Sequence, residues 1–281
     1  MHIFLPHFNF KASFLFSFLS LSFIGFGQQP PQLDFKIFDQ QTEDNILIYA
    51  SNKELLPVTV QIEIDYSGLK PVNALQEYVL IPEDSANVLV ASFHIPKGTS
   101  WQFSYRTMAY EGNVFAEHND NYAYALPFKT GEKFKLSQGY NGSYSHQGLN
   151  ALDFTMPKGT TILAAREGKV VKVVEGSNKG CNHPKCLRDA NYVSILHKDG
   201  TIATYSHLQF RGALVEPGDL VERGQIIAKC GQTGFASGPH LHFSVHKSTL
   251  SGVTTIPTKF LIAPDQAESL SEGKVYTAFE H

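Results

Sequence analysis

Two histidines separated by a single residue stand in Gly238-Pro239-His240-Leu241-His242-Phe243. On a strand, alternate side chains point to one face, so both imidazoles can converge on one ion or one substrate. Gly231, Gly234 and Gly238 permit tight turns into a crowded site, and without a strand-to-helix context they do not make a nucleotide-binding loop. Two further segments carry related groups: His146 and Asp153 within residues 145–154, and His207 in Tyr205-Ser206-His207-Leu208. His146 and Asp153 are seven residues apart. In one uninterrupted strand an odd separation puts two side chains on opposite faces. A loop through Gly148 and Asn150 is therefore expected if both groups are to reach one ion. Two imidazoles and one carboxylate are a common set for catalytic zinc, with a fourth position open to water. Each signal is weak alone. Among 12 histidines a His-x-His pair arises by chance, and a lone His207 is more often a satisfied core or surface histidine. The set as a whole points to metal chemistry.

These groups must be placed by β structure. Residues 161–165, 169–174, 192–197, 201–205, 225–229 and 241–245 read as strands, with Asp199-Gly200 signalling a type I′ hairpin turn. Upstream, residues 45–49, 58–64, 77–81, 88–93 and 101–105 alternate apolar and polar positions at the spacing of a small β-sandwich of immunoglobulin-like type. That half has no cluster of chemistry-bearing residues, and His94 and His118 stand isolated. After the N-terminal leader no segment sustains a 3.6-residue apolar period. The expected fold class is all-β: a sandwich module over 33–116, a polar linker over 117–125, a domain over 126–260 that holds the candidate site, and a C-terminal tail over 261–281.

Lys11 precedes an apolar run of 15 residues ending in Gly25-Phe26-Gly27, followed by Gln28 and Gln29. This is the layout of a secretory signal peptide with cleavage expected after Gly27, and the run is shorter than the ~20 residues a membrane span needs. The expected location is exported, periplasmic or extracellular and associated with the cell envelope, with no stable membrane insertion after cleavage. A net charge of -3 gives no broad attraction to nucleic acid or anionic lipid. At 42% hydrophobic and 17% charged residues, the chain can bury a core. Cys181 and Cys186 frame Cys-Asn-His-Pro-Lys-Cys, which after export suits a local disulfide. The rival, a second zinc site with His183, lacks a fourth ligand of suitable spacing. Cys230, in a strand-like run, is expected to be a buried inert thiol.

Residues from about 126 to 245 resemble the lysostaphin-type, LytM-like zinc endopeptidases of the M23 peptidases. The resemblance is carried by Gln138-Gly139-Tyr140, by residues 146–153, 154–160, 164–170 and 204–208, by Pro217-Gly218-Asp219 and Val221, by Gly224-Gln225-Ile226, by Thr233-Gly234, and by residues 238–243. It implies a β-rich LytM-like peptidase domain in which His146, Asp153 and His242 hold one Zn2+ per chain. His207 and His240 would then flank the attacking water and the scissile carbonyl as the catalytic pair. It also implies a secreted metalloendopeptidase acting on the peptide cross-links of bacterial peptidoglycan. Relatives that have lost metal ligands act as non-catalytic regulators, whereas all five positions are kept here. The departures are the insert at 180–189 and Cys230. The alternatives are a metalloprotease for other extracellular peptides and a non-catalytic wall-binding regulator. The partner of the N-terminal module is left unassigned.

Overall fold

The structure is a computed structural model and describes residues 33–279; the expected leader at 1–27 lies outside the described residues. It is nearly all β, as expected: among the described residues the helical element is one short 3-10 segment, Pro184–Asp189. No described helix is long and apolar enough to cross a membrane. The chain divides into two compact units, one built on the residues up to Val114 together with Thr249–Gly252, the other on Phe115–Ser248 with Val253 onward.

In the first unit, Phe35–Gln41, Asn45–Asn52, Ser85–His94 and Lys70–Pro71 form one sheet in that order, and Tyr78–Ile81, Val58–Ser67 and Gln102–Glu111 form another. Their inward residues meet in one core: Ile37, Ile46, Ile48 and Phe93 come from the first sheet, and Val58, Val60, Ile62 and Ile81 from the second. The immunoglobulin likeness expected from strand spacing extends no further than this two-sheet arrangement.

In the second unit a nine-stranded sheet positions the candidate site. Its order runs Leu220–Val221, Gly168–Val174, Tyr192–Leu196, Ile202–Ser206, His240–Thr249, Ala151–Thr155, Lys133–Gln138, Val275–Thr277, with Gly252–Ile256 also paired to His240–Thr249. The strand His240–Thr249 sends Leu241, Phe243 and Val245 into the core, each at most 1% exposed, and turns His240, His242 and Ser244 to the other face. Period-2 alternation thus separates packing from chemistry within one strand. Ala123–Tyr124, within the stretch expected as a linker, pairs in parallel with Lys259–Ala263. Val275–Thr277, within the stretch expected as a tail, pairs with Lys133–Gln138 at the edge of the large sheet.

The Asp199-Gly200 hairpin forms, but not with a type I′ turn. Such a turn needs positive φ at both central residues, and of the two only Gly200 has it, at +81°. His197 N–H donates to Thr201 O and Gly200 N–H to His197 O, so the loop is one residue longer. Asp199 is recruited instead as an anchor: it accepts from Thr201 N–H and Oγ1–H, and its Oδ2 lies 2.7 Å from the buried Arg166 guanidinium. Burial would raise the Asp199 pKa, but the bonds from Thr201 and Arg166 outweigh it and draw it down to about 2. The pair's contribution is therefore complete above the unfolded carboxyl's pKa of ~3.9 and lost as pH falls through about 2. Asp199→Ala leaves a buried guanidinium with only the more distant Glu167 carboxylate, 3.9 Å away, as counter-charge. The expected loss of stability is about 3–5 kcal/mol in urea unfolding near neutral pH.

Candidate metal centre

Strand register decides which side chains can meet. Asp153 lies directly opposite His242 on one side and opposite Gln138 on the other, while Ser206 faces His242 from the far side. Directly opposed residues project to the same face, so Gln138, Asp153, His242 and Ser206 make a row across four strands. His146 reaches this row from a loop. As the odd spacing required, the chain leaves the strand Lys133–Gln138, turns, and re-enters the sheet at Ala151–Thr155. Gly148 takes a left-handed φ of +72°, and Leu149 N–H closes a turn on His146 O. Asn150 ties the loop end to Thr255 through its backbone N–H and its Nδ2.

The structure brings His146, Asp153 and His242 together with one ligand atom from each lying within 4.8 Å of the others. His242 Nδ1 is 2.9 Å and His146 Nε2 3.3 Å from Asp153 Oδ1. The His146 ring is 1% exposed, and its Nδ1 lies 3.0 Å from Gly139 O. A carbonyl only accepts, so Nδ1 carries the hydrogen and Nε2 presents a lone pair. That buried Nε2 has no hydrogen-bond partner among the described residues. A lone pair facing a carboxylate oxygen in a buried place is the arrangement a cation resolves. Burial would raise the pKa of Asp153, but the adjacent His146, His242 and His240 imidazoles outweigh it and hold the carboxyl well below the usual range. Burial likewise opposes a charged His146, yet the neighbouring Asp153 carboxylate raises its pKa. The site draws positive charge, and its donor set fits a metal ion.

His207 and His240 stand beside these groups. Their rings are 4.5 Å apart, centroid to centroid, and the His207 ring is 5.7 Å from that of His242. His207 Nδ1 lies 2.7 Å from Thr233 O, and His240 Nδ1 2.9 Å from Gly238 O. Both imidazoles are therefore fixed in the tautomer that leaves Nε2 free to accept. Burial, with the His240 and His242 rings nearby, pushes the His207 pKa down to about 3, so this ring is neutral at physiological pH. His207 also occupies a left-handed backbone position, φ +63°, between two strands. Such a conformation is strained for a residue with a Cβ, and it aims the ring where an extended strand would not.

Residues 145–254 match the model described as Peptidase family M23. This segment belongs to peptidase family M23. Among curated M23-like relatives, the peptidoglycan DD-endopeptidase ShyC of Vibrio cholerae is 38% identical over 135 residues, covering 48% of this chain and 26% of that protein. An uncharacterized metalloprotease of Buchnera aphidicola is 28% identical over 205 residues, covering 68% of this chain and 50% of that protein. The solved catalytic domain of lysostaphin from Staphylococcus simulans is 27% identical with a TM-score of 0.32, covering 49% of this chain and 87% of that one. The chain spans from 25% to 50% of the length of the first curated relatives it matches.

Two residues next to the M23 site carry no role in the sequence reading. Gln138 is 6% exposed. Its Nε2 donates to Asp153 Oδ2 at 3.0 Å and to Ser145 Oγ at 2.8 Å, while its Oε1 accepts from Tyr144 and Ser145 N–H. One amide thus locks the His146 loop to the Asp153 carboxylate and leaves Oδ1 for the ion. A signal was present: Leu136 and Gln138 are the buried positions of an alternating strand, and a glutamine there breaks the apolar series. Gln138→Ala should weaken metal binding by about 10–100-fold, the usual effect of losing an outer partner of a ligand, in a chelator-competition titration. Thr233 is the second residue, and it acts through its backbone carbonyl.

Proposed function

We propose that this chain is an exported zinc endopeptidase that hydrolyses the peptide cross-links of bacterial peptidoglycan. The observation that carries the reading is the convergence of the partnerless His146 Nε2, Asp153 Oδ1 and His242 Nδ1 on one point. Two imidazole nitrogens and one carboxylate oxygen favour zinc over calcium or magnesium, which take oxygen ligands. Kinship with a peptidoglycan DD-endopeptidase supports the substrate class, and the apolar leader supports export. The first unit is assigned as an accessory module.

Bound at this point, zinc supplies Lewis-acid polarisation of the scissile carbonyl and lowers the pKa of water. His146 and His242 contribute neutral nitrogen donors, and Gln138 holds Asp153 in the orientation that presents Oδ1. His207 begins neutral, so its Nε2 accepts the proton of the attacking water. As the carbon–nitrogen bond breaks, that proton goes to the leaving amine. His240, fixed through Gly238 O, lines the same space beside His207, and its Nε2 accepts a hydrogen bond from the attacking water.

Digestion of purified sacculi by the mature protein, followed by mass analysis, tests this. Fragments bearing newly freed amines should be released, a chelator should stop their release, and added zinc should restore it. Full activity in metal-free protein would overturn the scheme. Cleavage of glycine-rich peptides but not sacculi would favour a general extracellular protease. Sacculus binding without fragments, insensitive to chelator, would identify a regulator.

A further inference from the structure

The departure in the sequence, residues 180–189, is built into the site through backbone bonds. Cys181 and Cys186 form a disulfide, with Cα atoms 5.9 Å apart. Gly180–Cys181 pairs in parallel with Gly234–Phe235. Gly234 N–H donates to Lys179 O at 2.9 Å, and Ala236 N–H to Cys181 O at 3.1 Å. The approach is close enough to demand glycine: a Cβ on Gly180 would stand 1.9 Å from Gln232 O, and one on Gly234 2.6 Å from the Ala190 Cβ.

The segment gripped in this way, residues 232–238, supplies the carbonyls that fix both histidines, Thr233 O for His207 and Gly238 O for His240. The base of the insert is tied to the same point. Fully buried Asn191 donates its backbone N–H to Thr233 Oγ1, while its side chain bridges Ser177 and Gln209 O. Thr233 Oγ1 in turn donates to Leu208 O, next to His207. The groups that converge on the metal take their main anchors elsewhere. Asp153 and His242 sit within the large sheet, and His146 is held by Gly139 and Gly142, while its loop meets the insert through a side-chain bond from the Tyr144 hydroxyl to Asn182 Oδ1 rather than through backbone pairing.

We infer that the Cys181–Cys186 loop is a positioning clamp for His207 and His240, acting through its strand pairing with residues 234–236, and that it sets turnover without setting metal affinity. This rests on the proposed hydrolysis for its kinetic readout only. A free insert of this length closes its own ends poorly. Cross-linking its tip limits the conformations open to the backbone that must meet Gly234 and Ala236. Small displacements of reacting groups carry a large kinetic penalty.

The test uses the mature, zinc-loaded protein with its histidines 15N-labelled, before and after treatment with a dithiol. The reagent is oxidised to its own disulfide as Cys181 and Cys186 become thiols, which are then alkylated. Buried Cys230 is 0% exposed and is spared. Cleavage of the disulfide should lower kcat by roughly 10–100-fold with KM unchanged. It should leave one zinc per chain and shift the ring signals of His207 and His240, but not those of His146 and His242. Reoxidation in place of alkylation should reverse the change, and the double variant C181S/C186S should reproduce it without reagent. An unchanged kcat with unmoved His207 and His240 signals overturns the clamp. So does a rise in KM alone, which would make the insert a wall of the substrate groove, and so does loss of zinc. If the oxidised protein cleaves no sacculi, the proposed function is what fails, and the ring signals still decide the clamp.

Discussion

His242→Ala should bind no stoichiometric zinc and show no measurable hydrolysis, while folding as the parent does. His242 lies on the central strand of the row, flanked by Asp153 and Ser206, and its Nδ1 is the atom nearest Asp153 Oδ1. Without it the site retains one imidazole and one carboxylate, too few for a stable tetrahedral zinc site. The loss of affinity should exceed the ~10–100-fold that follows removal of an outer partner such as Gln138. The fold is spared because the strand packs through Leu241, Phe243 and Val245 on its opposite face. Metal analysis after dialysis, beside a thermal melt of the apo proteins, checks both halves of the prediction. Acid should imitate the variant. Because the Asp153 carboxylate raises the His146 pKa against the effect of burial, a proton competes for Nε2 earlier on acidification than at an ordinary imidazole. Retention of one zinc per chain by His242→Ala would remove that residue from the ligand set.

The five candidate residues stood out in the sequence as an ordered set matching a family resemblance, since each is a weak signal alone, and His240 and His242 show which face of their strand is not core. The His146 loop was legible by parity alone. What holds these residues was mostly hidden. His146, His207 and His240 are each oriented by a main-chain carbonyl, and any residue type can supply one, so Gly139, Thr233 and Gly238 leave no chemical trace. Gln138 was quoted as part of a motif, but its fourfold bonding depends on the bulged register between Lys133–Gln138 and Ala151–Thr155 and on how the loop joining them folds back over it. The strand Phe35–Gln41 escaped notice because its second half is polar and exposed, as an edge strand tolerates. The type I′ expectation for Asp199-Gly200 failed because the aspartate answers to Arg166, a long-range partner that a turn dipeptide cannot announce. The Cys181–Cys186 disulfide was a possibility raised by spacing, and the structure forms it.

His207→Ala should keep one zinc per chain and lose about 10²–10³-fold in kcat, the scale on which a group that acts only at the transition state is felt. The prediction separates His207 from His242 because the His207 ring approaches the cluster from a different segment and makes no contact with Asp153 as short as those of the ligands. A confounding effect has to be removed, since His207 sits at φ +63°. Alanine in that left-handed position is disfavoured by about 1–2 kcal/mol relative to glycine, as the parent histidine also is, and it loses the ring's bond to Thr233 O that offsets the strain, so part of the deficit in His207→Ala is structural. His207→Gly resolves this. It lacks the imidazole in the same way but tolerates the backbone, so it should unfold at higher temperature than His207→Ala while turning over no faster. Equal kcat in two variants of unequal stability assigns the deficit to the missing Nε2 rather than to a disturbed turn. Near-parental turnover in the glycine variant would instead reduce His207 to a residue that shapes the turn, and would move proton transfer to His240.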